Sequence, residues 1–229
     1  MCGRFTLIFT YEDLKKYFQL AEMPSIEPRF NIAPSQDVLA IRMEGGIRRA
    51  AMLHWGLIPY WAKDPKIGNR TINARAETVQ TMPSFRAAFR KRRCLIPASG
   101  FFEWSKMEGT GKKEKQPFYI TLKDGKPMVF AGLWERWHDE KAGQEIESCT
   151  ILTTQANELV GKLHNRMPVI LGPESFDRWL VPEESGTATL LPLLRPVSDE
   201  LLAVHPVSKY VNTPAHQGEE CIEPIETLA

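Results

Sequence analysis

Cys2 directly follows Met1, and this position gives its thiol a chemistry that internal cysteines lack. An initiator methionine is normally removed when the next residue is small, which leaves Cys2 with a thiol and a free α-amine on adjacent carbons. The amine has an unperturbed pKa of about 7.7–8.0, so a fraction of it is neutral and nucleophilic near neutral pH. It would form a Schiff base with an aldehyde, and the sulfur would then close a thiazolidine ring. The alternative is that Cys2 is only a small residue that suits methionine removal.

A second group of polar residues lies in the stretch INARAET, at positions 72–78. It contains Asn73 and Arg75, just before a predicted helix. An asparagine amide can orient a substrate oxygen, and an arginine can hold a phosphate through charge-assisted hydrogen bonds. The same residues also fit an N-terminal helix cap followed by a surface arginine.

Two residues are candidates for proton transfer, Glu103 and His164. Glu103 lies within FFEW, and a carboxyl group in apolar surroundings has a raised pKa that suits proton transfer. The alternative is an exposed glutamate on a half-buried strand. His164 lies at a predicted helix-to-strand junction, and histidine is the commonest proton shuttle near neutral pH. A turn histidine without a chemical role fits the same spacing.

The elements that must position these residues follow from periodicity and turn signals. The sequence predicts helices within 10–20, 83–93, 155–164 and 173–180, the first capped by Thr10 and the second by Ser84. It predicts strands within 36–43, 47–55, 94–106, 116–126, 127–137 and 146–154, and loops over 28–36 and 56–69. We therefore expect one α+β domain over 1–229, built on an antiparallel, barrel-like sheet with flanking helices and an irregular tail after about residue 213.

Composition and cysteine spacing restrict the class of protein. The 229 residues carry 29 basic and 28 acidic side chains, and 43% of them are hydrophobic, which is ordinary for a globular protein. The four cysteines are far apart, without metal-ligand spacing, so we expect no metal, and no motif implies a cofactor. No apolar run is long enough for a membrane span and no secretion signal is present, which predicts a reduced cytoplasmic protein. Basic residues cluster between 86 and 115, which predicts either a phosphate-attracting face or a solvated surface of mixed charge.

Seven motifs give the sequence a resemblance to a known family. They occur in the order MCGRF, RFNIAPSQ, HWGLIPYWAKD, INARAET, RRCLIPASGFFEW, the threonine pair at 153–154, and HNRMP. In this order they resemble the SOS-response-associated peptidase family, whose members process abasic sites in DNA. The resemblance runs from Cys2 to Pro168, and PVS at 206–208 with VN at 211–212 extends it.

The resemblance implies a covalent site at Cys2. After loss of Met1, Cys2 would bond to the ring-opened deoxyribose aldehyde of an abasic site in single-stranded DNA. Asn73 would position the Cys2 amine or the sugar, and Glu103 would handle protons during amine attack. His164 would act as acid or base on the ring oxygen and hydroxyl of the sugar. Self-removal of Met1 and strand cleavage by β-elimination are further activities that the resemblance suggests.

The resemblance also implies how DNA is held. The residues matching the phosphate-binding arginines are Arg4, Arg75 and Arg166, and the loop aromatics Trp61 and Phe30 offer stacking surfaces for bases. We expect a monomer acting on nucleoid DNA. Two other functions fit the residues: an N-terminal-nucleophile peptidase or amidase, and a single-strand binder without catalysis.

Overall fold

The strands of the protein form two sheets, and short helices cover their ends. The computed structural model describes residues 2–106, 115–139, 143–181 and 187–226. Its strands are β1 (Phe5–Leu7), β2 (Arg29–Ile32), β3 (Asp37–Glu44), β4 (Ile47–Trp55), β5 (Asn73–Arg75), β6 (Arg93–Ala98), β7 (Gly100–Lys106), β8 (Lys115–Leu122), β9 (Met128–Asp139), β10 (Gln144–Gln155), β11 (Arg166–Pro168) and β12 (Leu202–Pro206). Its α-helices are α1 (Tyr11–Phe18), α2 (Arg86–Lys91), α3 (Glu158–Gly161) and α4 (Phe176–Leu180), and short 3₁₀ turns include Pro65–Arg70.

Five strands close into a barrel. The order is β10-β4-β3-β6-β9, and β9 pairs back onto β10, so the ring has no free edge within it. All of its pairings are antiparallel except that of β10 with β4. The predicted α+β domain on an antiparallel, barrel-like sheet is therefore confirmed, and the parallel pairing of β10 with β4 is the exception within the barrel.

The second sheet is antiparallel and has the order β12-β8-β7-β1-β2. Its inner face packs on the barrel, where the Phe5 ring lies edge-on to Trp55 and to Phe130, with centroids 5.1 and 5.8 Å apart. All three rings are fully buried, and burial of such side chains contributes about 1.5–3 kcal/mol each. This core brings β1, which begins three residues after Cys2, against the barrel.

The first helix begins and ends where the sequence predicts, whereas the next two differ. Thr10 caps α1 by accepting the backbone N–H of Asp13 through its side chain, as expected. The predicted Ser84 cap of α2 is wrong: Phe85 occupies the cap position and no side chain bonds the helix end. Helix α3 is a single turn capped by Asn157, because β10 extends through Gln155.

Only part of the basic cluster predicted from the sequence is exposed at the surface. Arg86 and Arg90 are exposed, but Arg92 forms a 2.6 Å ion pair with Glu135. Arg93 is buried and its guanidinium donates to backbone carbonyls, two of them at the end of α2. Lys112 and Lys113 lie outside the described residues, as does most of the predicted hairpin connection at 109–115.

Residues 207–226 dock on the second sheet. The amide of Gln217 imitates a neighbouring strand, since its oxygen accepts the N–H groups of Phe30 and Asn31 and its nitrogen donates to the Asn31 carbonyl. The tail also contains a bridge between Val207 and Pro224. The tail is therefore attached to β2, beside the segment that carries Arg4, and also to β7 and β8.

Candidate active site

Strand β10 brings together the segments that carry Asn73, Arg75 and Arg166. On one side β5 runs parallel to it, with Asn73 opposite Ile151 and Arg75 opposite Thr153. On the other side β11 runs antiparallel, with Arg166 opposite Gln155. Segments far apart in sequence thus meet over one short stretch of a buried strand. The predicted helix cap at Asn73 is wrong, because this residue lies in a strand.

Asn73 contacts the N-terminal segment directly. Its amide nitrogen donates a 2.9 Å hydrogen bond to the carbonyl oxygen of Cys2. Its amide oxygen is buried and has no hydrogen-bond partner in the described part of the chain. A buried acceptor without a donor is costly, so this oxygen is positioned to accept from an amine or hydroxyl that enters the site.

The thiol of Cys2 is enclosed rather than exposed. The residue has 0% of its surface accessible and belongs to the hydrophobic core. Burial, reinforced by the nearby Glu103 carboxylate, raises the pKa of the Cys2 thiol well above its usual range. The sulfur is therefore held as a neutral thiol, and it must lose its proton when it forms a bond.

Glu103 shares the core-facing side of β7 with Phe101. It is only 4% exposed, so the alternative of a surface glutamate is wrong. Burial raises the pKa of the Glu103 carboxyl, and the field of His164 partly opposes this. A carboxyl group with a raised pKa next to a thiol and an imidazole holds a proton more readily than an ordinary glutamate, which suits it to accept and return protons.

His164 occupies the predicted junction, between α3 and β11. Its Nδ1 accepts the backbone N–H of Arg166 at 3.0 Å. Because Nδ1 acts as the acceptor, a neutral ring carries its proton on Nε2. The interaction with Glu103 places this imidazole in the same site as the buried carboxyl.

Arg166 is engaged within the protein. Its guanidinium forms a bidentate pair with Glu77, at 2.6 and 2.9 Å, and donates to the Thr153 carbonyl at 2.6 Å. The side chain of Arg166 is 13% exposed and that of Glu77 is 46% exposed, so the pair borders solvent. The Arg166 hydrogen bonds hold the pKa of Glu77 below its usual range.

Arg4 is tied to the docked tail. One terminal nitrogen donates to the Asn31 side chain at 2.6 Å and to the Val211 carbonyl at 2.9 Å. The guanidinium also lies 5.8 Å from the ring centre of Trp104. Desolvation lowers the pKa of Arg4, although an arginine remains charged at any pH of interest.

The other predicted DNA contacts differ in accessibility. Arg75 is exposed and alternates with the buried Ala74, so it lies on the same side of β5 as Asn73. Trp61 is 47% exposed on the loop between β4 and β5. Phe30 lies in β2 rather than in a loop, because this segment pairs with β1, and its ring packs against the cluster around Phe102.

Two residues that contact the candidate site were not identified from the sequence, Asn31 and Glu77. Asn31 is fully buried and donates to the carbonyls of Val211, Thr213 and His216 while accepting from Arg4. Its motif RFNIAPSQ is part of the resemblance, but an asparagine in an apparent loop gives no indication of this contact. Glu77 stands in INARAET, and only the structure pairs it with an arginine 89 residues away.

The fold and the site together define a single-domain barrel protein in which the Asn73 amide and the Glu103 carboxyl lie at Cys2, with the His164 imidazole near Glu103. The family model for the SOS response associated peptidase (SRAP) matches residues 1–214. The chain therefore belongs to this family. Within the described ranges, no helix is long and apolar enough to cross a membrane, and no group of three or more potential metal-ligating side chains is present.

Similar proteins extend over nearly the whole chain. Abasic site processing protein YoqW of Bacillus subtilis is 43% identical over 226 residues, which cover 97% of this chain and 99% of YoqW. Abasic site processing protein YedK of Escherichia coli is 32% identical and covers 98% of this chain and 100% of its own. A crystal structure of a protein from Bacteroides thetaiotaomicron has a TM-score of 0.85 at 27% identity, covering 98% of this chain and 100% of that chain.

Proposed function

We propose that this protein captures abasic sites in single-stranded DNA by forming a covalent bond through Cys2 once Met1 has been removed. The observation that carries the proposal is the arrangement of Asn73 and Glu103 around Cys2. The names of the relatives, abasic site processing proteins, support the same substrate. The bond would cap a reactive aldehyde and protect the strand from breakage.

The chemistry proceeds in two bond-forming steps. The free amine of Cys2 attacks the aldehyde carbon of the open sugar, and loss of water gives an imine. The thiol then adds across the imine: a bond forms between sulfur and carbon, and the thiol proton ends on nitrogen. Because burial keeps the Cys2 thiol protonated, the amine acts first and the sulfur closes the ring.

Proton transfers are assigned to the two titratable neighbours. Glu103 takes a proton from the attacking amine and returns one to the departing hydroxyl, which a carboxyl with a raised pKa can do near neutral pH. The Nε2–H of His164 protonates the ring oxygen of the sugar as its bond to the anomeric carbon breaks. The anomeric hydroxyl returns a proton to the imidazole, so the sugar opens to the aldehyde with no net change in protonation. The buried oxygen of Asn73 accepts from the amine and fixes its direction.

The DNA strand is held by charge on the rim. Arg75, exposed beside Asn73, offers a phosphate contact, and the guanidinium charges of Arg166 and Arg4 add to the field that attracts phosphate. Trp61 offers a half-exposed ring to a flanking base.

Two side activities follow from the same atoms. An imine at the anomeric carbon acidifies the neighbouring carbon, so β-elimination and strand cleavage compete with ring closure by sulfur. A peptidase reaction would use the Cys2 sulfur on an amide, and Met1 is the nearest substrate. The raised pKa of the thiol disfavours peptidase turnover, because the thiolate is the nucleophile in that chemistry.

A denaturing gel separates these functions. Wild-type protein mixed with single-stranded DNA that contains one abasic site gives a band of reduced mobility, which Cys2→Ala abolishes. Cys221→Ser is the matched control, because it removes a different buried thiol and leaves the band unchanged. Turnover of a peptide substrate without a shifted DNA band would instead support the peptidase, and equal binding of intact and abasic strands without a covalent band would support a simple single-strand binder.

A further inference from the structure

The tail, residues 207–226, packs on the outer face of the second sheet, away from the barrel. It helps to form a small cluster whose buried members are Phe102, Tyr119, Val207, Val211 and Cys221. Phe101 on β7 and Ile120 on β8 belong instead to the main core, although each is adjacent in sequence to a member of the cluster. Because successive side chains of a strand point to opposite faces, the small cluster and the main core lie on opposite faces of this sheet.

The tail has short elements of its own and is attached largely by side chains. Its two 3₁₀ turns are Lys209–Asn212 and Glu219–Cys221. The Gln116 amide donates to the Val207 carbonyl at 2.7 Å, and the Trp104 indole donates to the Asn212 side chain at 2.7 Å. A segment with a small core and short turns opens at a lower free energy than a closed barrel. We therefore expect the tail to detach from the sheet while the barrel stays folded.

Arg4 connects the tail to the DNA site of the proposed function. Its Nη1 donates to the Val211 carbonyl at 2.9 Å and to the Asn31 side chain at 2.6 Å. The Asn31 amide donates in turn to the same Val211 carbonyl and to those of Thr213 and His216. The docked tail therefore fixes the position of the Arg4 charge, and a detached tail would release it.

The tail also carries charge of the opposite sign, which would repel DNA. Glu219, Glu220 and Glu223 are exposed. Exposed charges are screened over about 8 Å at physiological ionic strength. Arg4, by contrast, contacts the tail directly. We therefore expect the fixed position of Arg4 to outweigh the repulsion by these carboxylates.

We propose that docking of the tail and binding of single-stranded DNA are coupled through Arg4. When the tail is docked, the Arg4 charge is held where it attracts a backbone phosphate; when the tail is detached, the charge is free to turn and DNA binds more weakly. Coupling between two equilibria is reciprocal, so bound DNA holds the tail on the sheet by the same factor. The proposal rests on the proposed function for the identity of the ligand. It adds a regulatory element, because whatever detaches the tail lowers the affinity for DNA.

The thiol of Cys221 reports on detachment of the tail. It is free and fully buried, so a maleimide reaches it only when the tail opens. Cys149, which is buried in the main core, reports on global unfolding in the same sample. Labelling of each cysteine at low maleimide concentration is followed by peptide mass mapping. The ligand is a single strand that carries one tetrahydrofuran, an abasic analogue without an aldehyde.

A saturating concentration of this strand should slow the labelling of Cys221 in the wild type about 10-fold, as the loss of one charge-assisted contact predicts. Cys149 should react far more slowly than Cys221 with or without the strand. An unchanged rate at Cys221 would overturn the proposal. A faster rate would also overturn it, because the carboxylates of the tail would then oppose binding.

Arg4→Ala separates the coupling from simple shielding of the thiol by DNA. This variant keeps the other two candidate phosphate contacts, Arg75 and Arg166, so a higher strand concentration saturates it. The bound strand should then leave the labelling of Cys221 unchanged. Equal protection in the wild type and in Arg4→Ala would overturn the proposal, since the DNA would merely cover the thiol.

Gln217→Ala weakens the attachment of the tail without removing a contact of Arg4. It should speed the labelling of Cys221 several-fold in the free protein, whereas Gln144→Ala, at an exposed glutamine that begins β10, should not. Equal rates in the two variants would mean that Cys221 is reached without detachment, which also overturns the proposal. A strand with a true abasic site is tested in parallel: absence of a crosslink contradicts the proposed function, whereas crosslinking without protection of Cys221 contradicts only the coupling.

Discussion

The side-chain amide of Asn73 donates a hydrogen bond to the carbonyl oxygen of Cys2, across 71 residues of sequence and 2.9 Å of space. The contact orients the residue that carries both proposed nucleophiles, and it leaves the amide oxygen of Asn73 without a partner in the described part of the chain. A flexible N-terminus would lose much of its reactivity to wrong orientations, because orientation is a large part of catalysis. In the proposed mechanism Asn73 would therefore act on the chemical step, by fixing the direction of the Cys2 amine.

Replacement of Asn73 should slow capture without preventing binding. Asn73→Ala removes one oriented hydrogen bond, worth about 1.5 kcal/mol, so the rate of adduct formation should fall about 10-fold. Affinity for a tetrahydrofuran strand should change by less than twofold. Asn69→Ala, at an exposed asparagine, is the control and should leave both values unchanged. Equal losses of rate and affinity would show that Asn73 holds the fold rather than the amine.

Replacement of Glu103 by glutamine should slow adduct formation and raise the stability of the fold. Glu103→Gln keeps the shape of the side chain but removes its proton transfer, so adduct formation should slow by 10²-fold or more. Burial raises the pKa of the native carboxyl, so the folded state binds more protons than the unfolded state above about pH 4.3. Wild-type stability therefore falls as pH rises through the interval between the two pKa values. The variant, which lacks this titration, should melt at a higher temperature than wild type at pH 8, and the difference should vanish below pH 4.

Glu135 is a matched control for Glu103, since it is equally buried but pairs with Arg92 at 2.6 Å. Glu135→Gln should lower the melting temperature, because it leaves a partly buried arginine without its counter-charge. Its rate of adduct formation should equal that of the wild type. A fall in rate for Glu135→Gln comparable to that of Glu103→Gln would mean that both effects are structural.

Most of the helices and strands could be predicted from the sequence, because local patterns of residues determine them. The hairpin of β3 and β4 around two glycines and the Thr10 cap follow from turn chemistry and short-range hydrogen bonds. The sequence predicted a barrel-like sheet, but it did not predict that β9 pairs with β10 to close the barrel. Phe30 was misplaced because a four-residue strand has too little pattern to separate it from a loop.

The site was less predictable because its contacts are long-range. Burial of Glu103 depends on packing against the barrel, whereas its own strand pattern allows either face. The pairing of Arg166 with Glu77 and the binding of Arg4 by Asn31 join segments whose proximity only the sheet order creates. The resemblance to a family identified the candidate residues. The structure then showed which of them are buried, such as Glu103, and which are exposed, such as Arg75.

Removal of Glu77 should strengthen DNA binding. Its carboxylate occupies the two donor positions of Arg166 that a phosphate would use, and it also repels the strand. Glu77→Gln should therefore raise the affinity for single-stranded DNA several-fold at low salt, with a smaller effect at high salt. Fluorescence anisotropy across a salt series measures this. Weaker binding would show that Arg166 needs Glu77 to hold its position.

Arg4 and Asn31 should act as one unit. Asn31 connects Arg4 to the docked tail, so its loss should release the guanidinium from its fixed direction. Arg4→Ala and Asn31→Ala should each weaken binding of a tetrahydrofuran strand, and the double variant should be no weaker than Arg4→Ala alone. Such non-additivity is the mark of coupled residues. Melting temperatures, measured alongside, ensure that all variants are folded during the assay, and additive losses would contradict the coupling.

Intact mass after mixing with an abasic oligonucleotide tests the covalent role of Cys2 most directly. Wild-type protein should give an adduct whose mass equals the chain without Met1 plus the oligonucleotide minus one water, and it should form without borohydride. Cys2→Ala retains an amine but no sulfur, so its adduct should appear only when borohydride reduces the imine, together with cleaved strand. A wild-type adduct that retains Met1, or one that forms equally well in Cys2→Ala without borohydride, would contradict capture by the freed N-terminal cysteine.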